Sequence, residues 1–275
     1  MSMFKKCIAT VLFGCSAVLS TVATAAGGLV SLGGSVTEII YALGEGEQLI
    51  ATDYSSLYPA EATKLTQVGY FRSIGVEGVA STMPTMVIAS ENAGPKEALQ
   101  RLDALGIPVH TVSDKGTLDS LYERIQQVAS VLQVPQEGER IQQAVKQQVE
   151  EALKLPAKSR RAAMVINRTG TLQAAGHSTS ADELMRISGF SNIFADQQSY
   201  KPISKESFVS LQPDVIITTT GSVEASGGLA KFLSDAGITN TPAALNNKVV
   251  VLDDLLALGM GPRVAEAIKQ LRSIP

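Results

Sequence analysis

The sequence contains few of the side chains on which redox and metal chemistry usually depend. It has no tryptophan, and its only two cysteines, Cys7 and Cys15, lie near the amino terminus. Its only two histidines are His110, which lies in a strand pattern and is interpreted as structural, and His177. Because both cysteines precede Ala25, disulfides, zinc–thiolate sites and cysteine nucleophiles are excluded from the chain that follows.

Catalytic and phosphate-binding motifs are also missing. There is no Gly-x-Ser-x-Gly elbow, and Gly33-Gly34-Ser35 lacks the lysine and the spacing of a phosphate-binding loop. The small number of general bases and metal ligands argues against catalysis and against binding of free zinc or manganese. We therefore expect that the protein is not an enzyme. The formal charge of −3 becomes −5 without Lys5 and Lys6, which argues against nucleic acid as a partner.

Residues 1–26 have the pattern of a signal peptide. Two lysines precede an apolar run from Cys7 to Val22, and Ala23-Thr24-Ala25 supplies small residues for cleavage. The run is too short for a membrane-spanning helix. A loose lipoprotein box ends at Cys15, but the apolar run continues beyond it. We therefore expect cleavage near Ala25 or Ala26 and a soluble exported product.

A single long helix is expected to separate two lobes. From Pro135 to Leu155, apolar residues recur at helical spacing, and Gln, Glu and Lys occupy the other face. Pro135 suits the first helical position, and Pro156 follows the end. We expect a bridging helix over 135–156, between an amino-terminal α/β lobe over 27–134 and a carboxy-terminal α/β lobe over 157–275.

The two expected lobes carry a similar segment. Residues 77–88 align without a gap with residues 206–217, and the Glu, Ser, Pro and Ile of the two copies are in register. Each copy predicts a short helical turn, a proline and an apolar strand. Such a connection is common in α/β proteins, so the match indicates either two related lobes or only a shared local connection.

Strands and helices alternate along both halves of the chain. Leu29–Gly33 is predicted as a buried strand, followed by a capping box, Ser35-Val36-Thr37-Glu38, that starts a helix. In the second half, Ala162–Asn167 is predicted as a strand, Thr169-Gly170 as a turn, and Ser180 as the cap of the next helix. This alternation predicts parallel sheets covered on both faces, with a ligand in the cleft between the lobes.

The segment Val68-Gly69-Tyr70-Phe71-Arg72 falls in a loop that can reach this cleft. It is either an ordinary loop anchored by a buried ring or a ligand site. As a site, Tyr70 presents a phenolate to a hard ferric ion and Arg72 stabilises the charged oxygen. Phe71 then offers apolar contact to a flat ligand.

The sequence resembles the periplasmic heme-binding proteins, the substrate-binding components of bacterial ABC heme importers. The resemblance covers essentially the whole chain after the signal peptide and rests on four runs: Ser31–Gly44, Val68–Pro84, Ala175–Asp182 and Leu258–Arg263. The first and last are typical of the wider superfamily, whereas the Tyr-Phe-Arg run is specific to the ligand. The resemblance implies two Rossmann-like lobes bridged by a single long helix, with heme held edge-in between them.

The resemblance also implies roles for residues and partners. Tyr70 binds the heme iron, supported by Arg72. Glu77 and Glu206 match the acidic residues that pair with arginines of the membrane permease, although solvated helix-end carboxylates are the alternative. The implied partners are heme, an ABC permease with its ATPase in the inner membrane, and an outer-membrane heme receptor upstream. The protein itself is expected to be a periplasmic monomer.

Three further residues have two interpretations each. His177 is either a second iron ligand that faces Tyr70 across the cleft or a loop residue that hydrogen-bonds its neighbours. Arg263 either pairs with a heme propionate or packs at the start of the last helix. Met260 contacts either the porphyrin or the protein core. A ferric siderophore or cobalamin is the alternative ligand, and a periplasmic enzyme is the less supported alternative function.

Overall fold

The computed structural model describes residues 28–167, 170–235 and 237–275. The chain forms two α/β lobes joined by one long helix, as expected from the sequence. The expected signal peptide and Thr169 lie outside the described residues. No helix in the described ranges is long and apolar enough to cross a membrane.

The first lobe is built on a parallel five-stranded sheet in the order β3-β2-β1-β4-β5. Its strands are β1 (Leu29–Leu32), β2 (Leu49–Thr52), β3 (Thr66–Gln67), β4 (Met86–Ser90) and β5 (Val109–Val112). Its helices are α1 (Gly34–Ala42), α2 (Val76–Ala80), α3 (Lys96–Ala104) and α4 (Leu118–Val131).

Successive residues of the central strands face opposite sides of this sheet. In β4, Val87 and Ala89 pack in the cluster that contains Leu102 of α3, whereas Ile88 packs in the cluster that contains Ile39 of α1. Because side chains alternate along a strand, a sheet covered on both faces needs a continuous apolar run. The run Met86–Ala89 in β4 meets that need, whereas β1 contains Ser31, whose hydroxyl is hydrogen-bonded to that of Thr37.

The bridging helix is α5 (Pro135–Leu153). Pro135 stands in its first turn, and its apolar stripe, including Val145 and Val149, is buried against its neighbours. The guanidinium of Arg272 donates from Nη1 to the carbonyl oxygens of Leu153 and Leu155, both at 2.7 Å. Since the last carbonyls of a helix have no partner within it, this side chain satisfies the end of α5.

The second lobe has a mixed sheet, not the purely parallel sheet that the sequence predicts. The main order is β11-β10-β6-β7-β9, in which β7 runs antiparallel to both neighbours, and β8 pairs in parallel with β6. Its strands are β6 (Arg160–Ile166), β7 (Gln173–Ala175), β8 (Phe190–Asn192), β9 (Tyr200–Pro202), β10 (Val215–Thr219) and β11 (Val249–Leu252). Its helices are α6 (Ser180–Ile187), α7 (Lys205–Ser210), α8 (Thr220–Ala225), α9 (Leu229–Asp235), α10 (Pro242–Leu245), α11 (Asp254–Leu258) and α12 (Val264–Arg272).

The repeated segments adopt the same local structure. In each, a short helix precedes a proline and the chain then enters a buried strand: α2 leads to Pro84 and β4, and α7 leads to Pro213 and β10. The residues before the two prolines, Met83 and Gln212, both have positive φ angles, 52° and 47°. The correspondence therefore extends to a backbone conformation that non-glycine residues rarely adopt.

Two predicted helix caps are wrong. The residue before α1 is Gly33, and Ser35 and Glu38 lie inside the helix, buried, without forming a capping box. The cap of α6 is Thr179, whose hydroxyl accepts a hydrogen bond from the N–H of Asp182 at 3.1 Å. The predicted Ser180 is the first residue of that helix.

One apolar cluster spans both lobes. It combines residues of the first lobe such as Ile39 and Ile125 with residues of the second such as Met164 and Ile268. Buried apolar surface stabilises by about 25 cal/mol per Å², so separating the lobes would expose a costly surface. The lobes are therefore packed on each other beneath the cleft.

Candidate functional site

A cleft of about 730 Å³ opens between the lobes. This volume lies within the usual range for small-molecule sites. The first lobe contributes the loops that follow its strands β1, β2, β4 and β5, together with the turn at Tyr70–Arg72. The second lobe contributes β6, β7, the turns around Ser178 and Ser199, and α11.

Tyr70 stands in the wall of this cleft on a short 3-10 turn. The turn covers Phe71–Ser73, and Tyr70 precedes it with an extended backbone of φ −96° and ψ 128°. The ring is 41% exposed and meets the ring of Phe71 edge-on, with 5.0 Å between centroids. The phenol is thus available to a ligand in the cleft.

Phe71 and Arg72 complete the turn. Phe71 is only 7% exposed and packs in the core of the first lobe, so the apolar contact expected of it is limited to a small exposed edge. The guanidinium carbon of Arg72 lies 4.8 Å from the centroid of the Phe71 ring, within cation–π distance. One buried ring therefore supports both the phenol and the cation that line the cleft.

The other exposed cleft residues of the first lobe include Tyr54, Leu57 and Lys115. Tyr54 and Leu57 are 57% and 44% exposed. They add apolar surface, and Lys115 adds a second cation. Sequence reasoning missed them because nothing in their local pattern distinguishes them from ordinary loop residues.

The wall on the second lobe contains the half-buried phenol Tyr200 on β9 and the turn Ser178–Ser180. Sequence reasoning missed Tyr200 because it did not predict the short strand β9. Ser178 and Ser199 have positive φ angles of 62° and 60°, which mark tight turns at this wall.

His177 is exposed, but it is not among the described residues that line the cleft. Its backbone N–H donates to the carbonyl oxygen of Gln197 at 2.8 Å, and its ring Nδ1 lies 3.0 Å from the same oxygen. His177 thus directly precedes the cleft-lining turn Ser178–Ser180 without being part of the lining. Its hydrogen bonds correspond to the alternative interpretation as a loop residue.

Met260 and Arg263 also lie outside the cleft lining found for the described residues. Met260 is 2% exposed and packs in the apolar cluster shared by the lobes. The Nε of Arg263 donates to Glu38 Oε1 at 3.0 Å, and its guanidinium carbon lies 3.5 Å from the centroid of the Tyr58 ring. The contacts expected between these residues and a ligand are replaced by contacts within the protein.

In the Glu38–Arg263 pair the carboxylate is buried, whereas the guanidinium is partly exposed. Burial raises the pKa of Glu38 above its ordinary value, and the charge and hydrogen bonds of Arg263 oppose this shift only in part. Burial lowers the pKa of Arg263, but the charge and hydrogen bond of Glu38, together with the charges of Asp253 and Glu266, outweigh it and the net shift is upward.

A second polar contact links the lobes at Arg124. This side chain is fully buried on α4, pairs with Asp114 of the first lobe, and donates from Nη2 to the carbonyl oxygen of Met260 at 2.6 Å. Met260 belongs to the loop between α11 and α12 of the second lobe. The positive φ of Met260, 43°, presents that carbonyl to the arginine.

Glu77 and Glu206 occupy equivalent places on the two lobes. Each is exposed in the first turn of its short helix, α2 or α7. A carboxylate at a helix amino terminus is favoured by the helix dipole, which is sufficient to explain the residue type without a partner. Their exposure leaves both available for docking.

Two α/β lobes, a continuous bridging helix and a cleft between the lobes define the class of two-lobed ligand-binding proteins that hold a small molecule between their domains. The sequence profile of the periplasmic binding protein family matches residues 29–256. The chain belongs to the periplasmic binding protein family.

The chain is similar to proteins that are named for different ligands, heme and vitamin B12, and to one that is named only as a transporter component. The apo structure of the periplasmic heme-binding protein RhuT from Roseiflexus sp. RS-1 is 37% identical, covers 90% of this chain and 96% of its own, and superimposes with a TM-score of 0.85. The vitamin B12-binding protein of Vibrio parahaemolyticus is 29% identical and covers 87% of this chain and 86% of its own length. The uncharacterized ABC transporter substrate-binding lipoprotein YvrC of Bacillus subtilis is 27% identical, over 88% of this chain and 78% of its own length.

Proposed function

We propose that this protein captures heme in the cleft between its lobes and delivers it to an ABC permease for import. The observation that carries the proposal is the phenol of Tyr70, exposed in the cleft wall on a turn that also presents Arg72. A phenolate is a hard anionic ligand that suits ferric iron, and a neighbouring guanidinium favours the charged oxygen. The heme-binding relative RhuT supports the choice of ligand.

The rest of the cleft suits a flat amphipathic ligand. Tyr54 and Leu57 on one wall, with Leu255 and Leu258 of α11, offer apolar surface to a porphyrin. Lys115 is an exposed cation for a propionate, while Arg72 supports the phenolate of Tyr70; Arg263 is not free for a propionate because it holds Glu38. In this proposal Tyr70 binds the iron, and His177 lies outside the cleft wall.

Delivery needs a docking face on each lobe. Glu77 and Glu206 are exposed on equivalent helices, and in the proposal they pair with arginines of a permease whose ATPase drives import. The name of the relative YvrC supports an ABC transporter as the partner. The protein then acts in the periplasm as a monomeric carrier without turnover, supplied by an outer-membrane heme receptor.

The test is a titration of the purified protein, without residues 1–26, with ferric heme, followed by ultraviolet–visible absorption. We expect saturable binding with a tyrosinate-to-iron absorption, and we expect Tyr70→Phe to lose that absorption and most of the affinity. Tyr41→Phe removes a phenol that does not line the cleft and is the matched control. Loss of binding in both variants, or in neither, would contradict the role of Tyr70.

Cobalamin is the second candidate ligand, because several curated relatives are named vitamin B12-binding proteins at 29% to 30% identity. A parallel titration with cyanocobalamin separates the two. Saturable cobalamin binding that survives Tyr70→Phe, with no saturable heme binding, would replace heme by a corrinoid.

A further inference from the structure

We propose that Asp53 is a positioning residue for Tyr70, and that its buried carboxylate holds the backbone that presents the phenol to the ligand. This inference rests on the proposed function, because it assumes that Tyr70 binds iron. Asp53 directly follows β2, at the carboxyl end of the strand, and is 0% exposed.

The carboxylate of Asp53 accepts four hydrogen bonds from neutral donors. Its Oδ1 accepts from the N–H of Gly33 at 2.9 Å and from the hydroxyl of Ser56 at 3.0 Å. Its Oδ2 accepts from the N–H of Ser55 at 2.9 Å and from the N–H of Phe71 at 3.2 Å. No ion pair among the described residues involves Asp53.

These donors belong to three of the first-lobe loops that meet at the cleft. The loops follow β1, β2 and β3, and each contributes residues to the cleft wall. They are packed closely, since a Cβ on Gly34 would lie 2.2 Å from the carbonyl oxygen of Ser55. A buried carboxylate without a cation depends on its hydrogen bonds, so releasing any donor is costly. Asp53 therefore ties the three loops together.

The two peptide planes on either side of Tyr70 are both hydrogen-bonded to the residues that directly follow β2, Asp53 and Tyr54. The carbonyl of Gly69 belongs to the peptide before Tyr70 and accepts from the N–H of Tyr54 at 2.8 Å. The N–H of Phe71 belongs to the peptide after Tyr70 and donates to Asp53. Because these planes set φ and ψ of Tyr70, they also set the direction of its Cα–Cβ bond.

Backbone control matters here because the ring itself is weakly packed. Tyr70 is 41% exposed, and its aromatic partner is the adjacent Phe71, which hangs from the same turn. A metal ligand has to be held near its bonding position before the metal arrives, or its ordering reduces the affinity. Fixing the turn through Asp53 supplies that order without covering the phenol.

The central variant is Asp53→Asn, which keeps the shape but leaves one acceptor oxygen for four donors. We expect about tenfold weaker binding of ferric heme, since hydrogen bonds to a charged group are strong and only part of that strength is transmitted to Tyr70. The matched control is Asp214→Asn, because Asp214 also accepts a backbone hydrogen bond, from Arg161 at 3.0 Å, but does not line or support the cleft. Thermal unfolding of each variant confirms that it is folded.

A double-mutant cycle with Tyr70→Phe separates positioning from general damage. If Asp53 acts through Tyr70, Asp53→Asn weakens heme binding about tenfold in the presence of Tyr70 and less than about twofold in Tyr70→Phe. The tyrosinate-to-iron absorption of Asp53→Asn is also expected to be weaker at equal heme occupancy. An equal loss of affinity in both backgrounds, with an unchanged spectrum per bound heme, would overturn the inference.

The failure of the proposed function gives a different result. If the unmutated protein does not bind ferric heme, the proposed function fails and the inference fails with it. If Tyr70→Phe binds heme as tightly as the unmutated protein does, heme capture stands, but the role of Tyr70 fails and the inference fails with that role. If Asp53→Asn does not fold, Ser56→Ala removes one of the four donors and keeps the carboxylate. A smaller loss of affinity that depends on Tyr70 is then expected, and unchanged affinity and spectrum would count against the inference.

Discussion

Glu38 on α1 and Arg263 before α12 form an ion pair between the two lobes, with 3.0 Å between Oε1 and Nε. The two residues are 225 positions apart in the chain. The pair is stacked on Tyr58 and lies near the buried contact between Arg124 and the carbonyl of Met260. Together with the shared apolar cluster, these contacts hold the lobes at a defined angle.

Removing Glu38 is expected to destabilise the fold. Glu38→Ala leaves a largely desolvated guanidinium without its partner, which costs about 2 kcal/mol after allowing for the partial exposure of Arg263. Urea unfolding of both proteins measures the difference in the free energy of unfolding. Glu139→Ala changes an exposed carboxylate on α5 and is expected to remain close to the unmutated protein. Equal losses in the free energy of unfolding for the two variants would show that the Glu38–Arg263 pair has no special role in stability.

The pH dependence of stability follows from the raised pKa of Glu38. The carboxyl of Glu38 holds its proton more tightly in the folded protein than in the unfolded chain. Its protonation therefore stabilises the fold fully below the pKa of the unfolded chain, and this stabilisation is lost as the pH rises through the pKa of the folded protein. The free energy of unfolding of the unmutated protein should therefore fall, relative to that of Glu38→Gln, as the pH rises above about 4. Urea unfolding of both proteins over a pH series checks the sign. A difference that grows with pH would contradict it.

Arg272 is expected to be important for the end of the bridging helix. It donates to the carbonyls of Leu153, Leu155 and Ile187, so Arg272→Ala leaves three acceptors without this partner. We expect a loss of about 2 kcal/mol in the free energy of unfolding. Lys269→Ala, at an exposed position of the same helix, is the control.

Ligand binding is expected to change the lobe angle only slightly, because a continuous helix and buried contacts between the lobes resist bending. Leu105 and Leu245 are exposed on opposite lobes, at 63% and 71%. The chain after residue 26 has no cysteine, so Leu105→Cys with Leu245→Cys accepts two spin labels specifically. The distance between the labels should shift by less than about 2 Å on addition of heme. A larger change in the distance between the labels would show that the helix and the contacts between the lobes do not prevent closure.

Reversing the exposed charges should uncouple delivery from binding. Glu77→Lys and Glu206→Lys are expected to leave heme affinity unchanged, because neither residue lines the cleft, and to reduce heme-dependent ATP hydrolysis by the reconstituted permease. The control is Glu97→Lys, which reverses an exposed charge in the first turn of α3. A reduction of the same size in the control would indicate a general effect of charge.

The sequence by itself determined the central buried strands, the bridging helix and the repeated segment, but not the short strands such as β9. Continuous apolar runs predict β4 and β10, and the helical stripe that begins at Pro135 predicts α5 to within three residues of its end. These features depend on patterns within a short window of the chain. The Tyr-Phe-Arg turn was recognisable for the same reason.

Only the tertiary structure decided the contacts of individual charged and aromatic side chains. Glu38 matches a capping box locally, but it pairs with Arg263 across the lobes. Met260 packs in the core and Arg263 pairs with Glu38, whereas Tyr200 and Lys115 line the cleft. A buried charge is stable only beside its partner, and that partner is selected by how distant segments pack, which no local pattern contains.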